Sequence, residues 1–114
     1  MVKVSRDELV LLDSVIEPGG GGAGPHFHKQ HVDSFYVLEG ELEVTVAGET
    51  VQAHSGDLVH AAPNVVHSFE NASPSRVRFL NLHTPGMRFD EYLRKLDEGD
   101  DVNPEEYDVW EVDE

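Results

Sequence analysis

The chain has 114 residues, 39% of them hydrophobic and 27% charged, which suits one soluble globular domain with a proper core. Cysteine is absent, so disulfides, thiolate metal sites and cysteine nucleophiles are excluded. Eight Lys and Arg against 23 Asp and Glu leave a net charge of −15, which argues against nucleic-acid binding because phosphates are neutralised by basic side chains.

Val2-Lys3-Val4-Ser5-Arg6-Asp7-Glu8 is too polar for a secretory signal, and no apolar run approaches the length of a membrane span; a cytoplasmic location is expected. Glu8 to Glu17 is rich in β-forming apolar residues and stops at Pro18-Gly19. A glycine-rich stretch, Gly19 to Gly24, follows. Ser34 to Glu39 reads as a strand ending at Gly40, and Glu41 to Ala47 alternates strictly, with Leu42, Val44 and Val46 on one face. Further short strands are read at Glu49–Ala53, Leu58–Ala62, Val65–Phe69 and Arg76–His83, separated by turn residues. Strands recurring every 8 to 12 residues or so without helices between them predict an antiparallel sandwich or barrel. The expected class is all-β, a small antiparallel barrel over residues 1–96 closed by a short C-terminal helix. From Met87 to Leu96, Phe89, Tyr92, Leu93 and Leu96 share one helical face. Residues 97–114 hold ten acids and no Lys or Arg, and read as an acidic, solvated tail. Tyr107, Val109, Trp110 and Val112 are out of place in such a tail and point to partial docking on the body or on a neighbouring subunit.

Seven histidines are the chemical signal. His26 and His28 are one residue apart, so on an extended strand both imidazoles project from the same face. Asp33 follows after a short loop, and His67 lies on a later strand. Three imidazoles and a carboxylate suit a divalent transition metal such as Fe, Mn, Ni, Co, Cu or Zn. His-x-His alone favours the plainer reading of two surface histidines beside a flexible loop, with His67 an unrelated core residue.

The wider pattern changes the weighing. Gly20, five residues, His26-x-His28, four residues, Asp33, six residues, Gly40 resembles the first motif of the cupin superfamily, which has Glu at the carboxylate position. Fifteen residues on, Gly56 to Asn71 resembles the second motif, with Gly56, His67 and Asn71 in register. Ala62 stands at the motif proline with Pro63 beside it, and Asn64 at the motif's second glycine, where Asn best tolerates a left-handed backbone. The resemblance covers residues 8–86 or so. It implies a β-barrel (jelly-roll) fold, one metal held by His26, His28 and His67 with Asp33 as fourth ligand or close support, and a homodimer. The Glu8–Glu17 segment is a candidate to pair with a neighbouring sheet edge. Asp33 is one methylene shorter than Glu, so direct ligation and a supporting hydrogen bond to an imidazole both stay open.

The remaining histidines are read separately. His31 is a candidate ligand or proton shuttle, set against a solvent-facing loop residue; His54 is a surface residue; His60 faces either a polar pocket or solvent. Phe79, Asn81 and His83 share a face, and Asn81 and His83 either line the pocket or bond on the sheet exterior. Phe35, Val37, Phe69 and Phe79 are candidates for an apolar wall beside the metal, which would favour a small organic substrate. The glycine-rich approach to His26 looks most like the small quercetin-dioxygenase-type cupins. That resemblance implies a metal-dependent dioxygenase acting on a phenolic or enolisable substrate, with Asp33 or His31 as proton acceptor. A metal-dependent lyase, isomerase or cyclase, or a non-catalytic ligand-binding cupin, are the alternatives.

Overall fold

The computed structural model describes residues 1–112. Ten strands run β1 Val2–Ser5, β2 Val10–Ile16, β3 His26–Phe27, β4 Val32–Glu39, β5 Glu41–Val46, β6 Glu49–His54, β7 Leu58–Ala61, β8 His67–Glu70, β9 Val77–Thr84 and β10 Trp110–Glu111. Helix α1, Phe89–Asp97, and a 3-10 turn at Pro104–Tyr107 lie between β9 and β10. Two five-stranded sheets result, in the orders β1-β2-β9-β4-β7 and β10-β3-β8-β5-β6, and all ten strands pair antiparallel. The all-β reading therefore holds. No helix among the described residues is long and apolar enough to cross a membrane.

The alternation read in β5 places Leu42 and Val44 fully inside. They join Phe35, Val37, Ala53, Val77 and Phe79 in one core cluster between the sheets. A second cluster joins Val10 and Leu12 of β2 to Phe89 and Tyr92 of α1 and to Tyr107 and Val109 beyond it. The inward faces of β4 and β9 change character along their length. Val37, Phe35 and Asp33 point inward in turn on β4, as do Val77, Phe79, Asn81 and His83 on β9. The register pairs Val37 with Phe79 at one end and Asp33 with His83 at the other. The core thus passes from apolar to polar along the strands, and the polar end faces α1.

Several elements depart from the sequence reading. β8 starts at His67, because Ala62 to Val66 form the turn before it, with Asn64 at φ 70° as its left-handed residue. β1 was not anticipated, and it takes up the edge of β2 across Val10–Leu12, so that stretch has no free edge for a neighbouring copy. The C-terminal region does not simply extend into solvent. Tyr107, Asp108 and Val109 are buried, and β10 adds a strand to the second sheet by pairing with β3. Val37, expected beside the metal, sits in the apolar core instead, while Phe35 belongs to that core and also meets the His67 ring edge to face at 6.4 Å.

Candidate metal centre

His26 is placed by β3, which hydrogen-bonds to β8 with His26 opposite His67. His28 lies just past β3, and Asp33 is the second residue of β4. All four are buried, and one ligand atom from each falls within 4.8 Å of the others. The spacing of these four residues in the sequence therefore does bring them together in space.

Each imidazole is oriented by a backbone carbonyl. The Nδ1–H groups of His26, His28 and His67 donate to the carbonyls of Gly24 (2.7 Å), Asp108 (2.7 Å) and Val65 (3.0 Å). A carbonyl only accepts, so these bonds fix the proton on Nδ1 and leave Nε2 as the ligating atom. On Asp33, Oδ1 accepts from the Asn81 amide at 2.7 Å, while Oδ2 lies 2.9 Å from His67 Nε2 and 3.3 Å from His28 Nε2. Neutral imidazoles in this tautomer turn their Nε2 lone pairs toward carboxylate lone pairs. That arrangement is repulsive unless a cation, a proton or a metal ion, lies between them. The donor set of three imidazole nitrogens and one carboxylate oxygen fits a divalent transition metal.

The electrostatics agree. Burial opposes ionisation of Asp33, but the imidazoles of His83, His28 and His67 around it favour the anion more strongly and hold the carboxyl well below its ordinary value. Burial pushes His26 down to about 4, so its ring is a neutral donor at pH 7. For His67 burial acts downward, yet its bond to Asp33 leaves it raised.

A second layer backs the first. His31 is fully buried, contrary to the solvent-facing reading, and its Nδ1 is 2.9 Å from Asp108 Oδ2. Its Nε2 meets His83 Nδ1 at 2.9 Å, and His83 Nε2–H donates to the Asn81 side-chain oxygen at 2.7 Å. The contacts run Asp108–His31–His83–Asn81–Asp33, and filling the three imidazole contacts takes one proton more than two neutral rings carry. Burial lowers His31 to about 4 and His83 to about 3. His28, His31 and His83 also lie close enough to share an ion. However, His28 and His31 stack face to face at 3.9 Å, and imidazole lone pairs lie in the ring plane, so these three do not converge on one point. His54 and His60 are exposed, and neither belongs to the cluster.

The open side is a cleft of about 640 Å³. His26, Asp33 and Asn81 reach it, whereas His31 does not. Its walls are apolar: Phe69 and Phe79 from the sheets, Phe89, Tyr92 and Leu96 from α1, and Val109 from the C-terminal segment. Glycine at position 22 is required there, since a side-chain carbon would fall 2.2 Å from the Phe69 ring. Asp108 was missed by sequence reading. The one available signal was a single acid enclosed by Tyr107, Val109 and Trp110 within an otherwise polar acidic run.

Residues 12–83 match the family model described as a cupin domain. Quercetin 2,3-dioxygenase from Bacillus subtilis is 31% identical over 92 residues, which is 81% of this chain. The chain spans about a quarter (27%) of that enzyme's length. Among solved structures, a conserved protein with a double-stranded β-helix domain from Klebsiella pneumoniae superposes with a TM-score of 0.69 at 27% identity, covering 76% of each chain. KdgF from a Halomonas species gives a TM-score of 0.68 at 25% identity, covering 75% of this chain and 76% of its own.

Proposed function

The chain belongs to the cupin family, and from that premise we propose a metal-dependent, dioxygenase-like enzyme acting on a small phenolic or enolisable substrate. The observation that carries this reading is the convergence of His26, His28, His67 and Asp33, two of which, His26 and Asp33, reach an apolar, aromatic-walled cleft. His26, His28 and His67 would hold the ion through Nε2, with Asp33 Oδ2 as the fourth donor. When bound, a metal of this kind supplies Lewis-acid polarisation of a substrate's oxygen donors and redox access to O2.

The protein's own residues do the rest. Phe69, Phe79 and Phe89 offer flat apolar surface to a planar substrate and keep water from its face. Asn81 holds Asp33 in place while turning its other oxygen toward the imidazoles. Asp33 is the carboxylate that reaches the cleft and, if it does not ligate the ion, the candidate proton acceptor there; His31 acts behind it, through His83 and Asn81, rather than on substrate. The reading extends to a cytoplasmic homodimer, which sedimentation at micromolar concentration tests; a monomer removes the dimer.

The test begins with elemental analysis of protein purified without a polyhistidine tag. About one equivalent of transition metal is expected, lost in His26→Ala and in His67→Ala. Metal-reconstituted protein is then offered flavonols, β-diketones and catechols in an oxygen electrode. Metal-dependent O2 consumption supports the reading. Turnover that persists without O2 would move the protein to the lyases and isomerases, and metal binding without turnover to the ligand-binding cupins.

A further inference from the structure

The C-terminal segment, which supplies none of the four candidate ligands, is built into the ligand loop. Asn103 caps the 3-10 turn by accepting from the Glu105 amide. The turn ends on the buried Tyr107 and then on Asp108, whose backbone is left-handed at φ 61°. Asp108 is 2% exposed, and every acceptor it carries is turned onto residues 28–31 or onto its own strand. Its carbonyl accepts from His28 Nδ1–H at 2.7 Å. Its Oδ1 accepts from the Lys29 amide at 2.8 Å and the Trp110 indole at 3.2 Å. Its Oδ2 accepts from the Gln30 amide at 2.7 Å and lies 2.9 Å from His31 Nδ1. Immediately afterwards β10 pairs Trp110 with Phe27 and Glu111 with His26. The Lys29 ammonium sits 3.6 Å over the Trp110 ring.

An acid buried this deeply needs compensating donors, and here all of them come from the loop that carries His28 or from the same strand. The loop lies between strands, since β3 ends at Phe27 and β4 starts at Val32, and its other backbone tie is the Asn64 amide, which donates to the His28 carbonyl at 2.6 Å. We infer that Asp108 is a positioning residue for the metal centre, and that residues 103–111 form a strap that sets the direction of the His28 ring. This inference rests on the metal reading of His26, His28, Asp33 and His67. The carbonyl fixes the tautomer and the ring plane, and the carboxylate fixes the loop on which the ring is mounted.

Two substitutions suit a left-handed residue. Asp108→Asn keeps the carbonyl to His28 but turns an amide N–H toward donors of the loop. Asp108→Gly keeps the backbone and removes the carboxylate. Apoprotein is titrated with Co²⁺, reading both affinity and the ligand-field absorption bands, beside Leu42→Ala in the remote core. Both Asp108 variants are expected to bind Co²⁺ roughly 10- to 100-fold more weakly, with shifted bands. Leu42→Ala is expected to melt earlier with Co²⁺ affinity and bands unchanged. That contrast separates positioning from general destabilisation.

A measurement on the parent needs no variant. Coupling between sites is reciprocal, so Zn²⁺ loading must slow amide exchange across 104–111 as well as across 26–31. Parental affinity and bands in both Asp108 variants, or Zn²⁺ protection confined to 26–31, overturns the strap. A parent that binds neither Co²⁺ nor Zn²⁺ overturns the metal reading along with it.

Discussion

Asn81 is the residue on which the shorter carboxylate depends. Its amide donates to Asp33 Oδ1 at 2.7 Å and to the Ser34 carbonyl at 3.0 Å, and its oxygen accepts from His83 at 2.7 Å. Aspartate has one methylene less than glutamate with which to reach three imidazoles, so its one freedom is rotation of the carboxylate, and Asn81 stops that rotation. Asn81→Ala leaves Asp33 Oδ1 and His83 Nε2 without these partners in a buried site, at a cost of about 1–3 kcal/mol. The variant is expected to melt lower than the parent and to bind Co²⁺ more weakly, by calorimetry and by titration; parental affinity would mean that Asp33 needs no such brace. At this scale the sequence was readable where a fixed spacing carried the information. His26, His28, Asp33 and His67 sit at the intervals of the two cupin motifs, and it is that resemblance, beyond the His-x-His pair, that joined them. His31 and Asp108 were not readable that way, because each is buried by a partner roughly 80 residues distant, and no local pattern encodes that meeting.

At the scale of the element, period-2 alternation made β5 and β9 legible, β4 was read from its apolar run up to Gly40, and the polar end of the core was left open because alternation alone does not say which face of β9 is inside. β3 and β10 are two residues each, too short for any period to show, although they carry His26 and close the site. Helix α1 was legible from its apolar stripe, and Phe89 stacks on His83 at 3.7 Å. The cross-strand pairing of β5 with β8 sets Glu43 opposite Glu70. A hydrogen bond to Glu43, and then its charge, raise the Glu70 pKa, as expected of two carboxylates sharing one proton. A group whose folded pKa lies above its unfolded value contributes stability below the unfolded value and loses that contribution as pH rises through the folded one. The pair is therefore favourable in acid and repulsive at neutral pH. Glu70→Gln is expected to raise the melting temperature at pH 7 and to lose that advantage at pH 4. An equal gain at both values would show that the carboxylate pair does not set the difference.

For the whole molecule, the metal centre and the fold are one thermodynamic system. The four candidate ligands come from β3, the loop after it, β4 and β8, so they are brought together only when both sheets are formed. An ion that binds this arrangement and not the unfolded chain stabilises the protein by mass action, by about 2.7 kcal/mol at a hundredfold excess over its dissociation constant. For a domain of this size that corresponds to a rise in melting temperature on the order of 10 °C. The net charge of −15 complicates the measurement, because a chain this acidic attracts any divalent cation whether or not the cluster binds it. Three comparisons separate the two effects. Mg²⁺ neutralises the same surface charge but is a poor match for imidazole nitrogen, so it should give only a small rise. High salt should screen that small rise while leaving most of the effect of Co²⁺ or Zn²⁺, whose ligands are buried. His67→Ala retains the acidic surface and lacks one ligand, so calorimetry should show the Co²⁺ effect reduced toward that of Mg²⁺. If Mg²⁺, Co²⁺ and Zn²⁺ raised the melting temperature alike, in the parent and in His67→Ala, the ions would be acting on the surface charge and the histidine cluster would hold none of them.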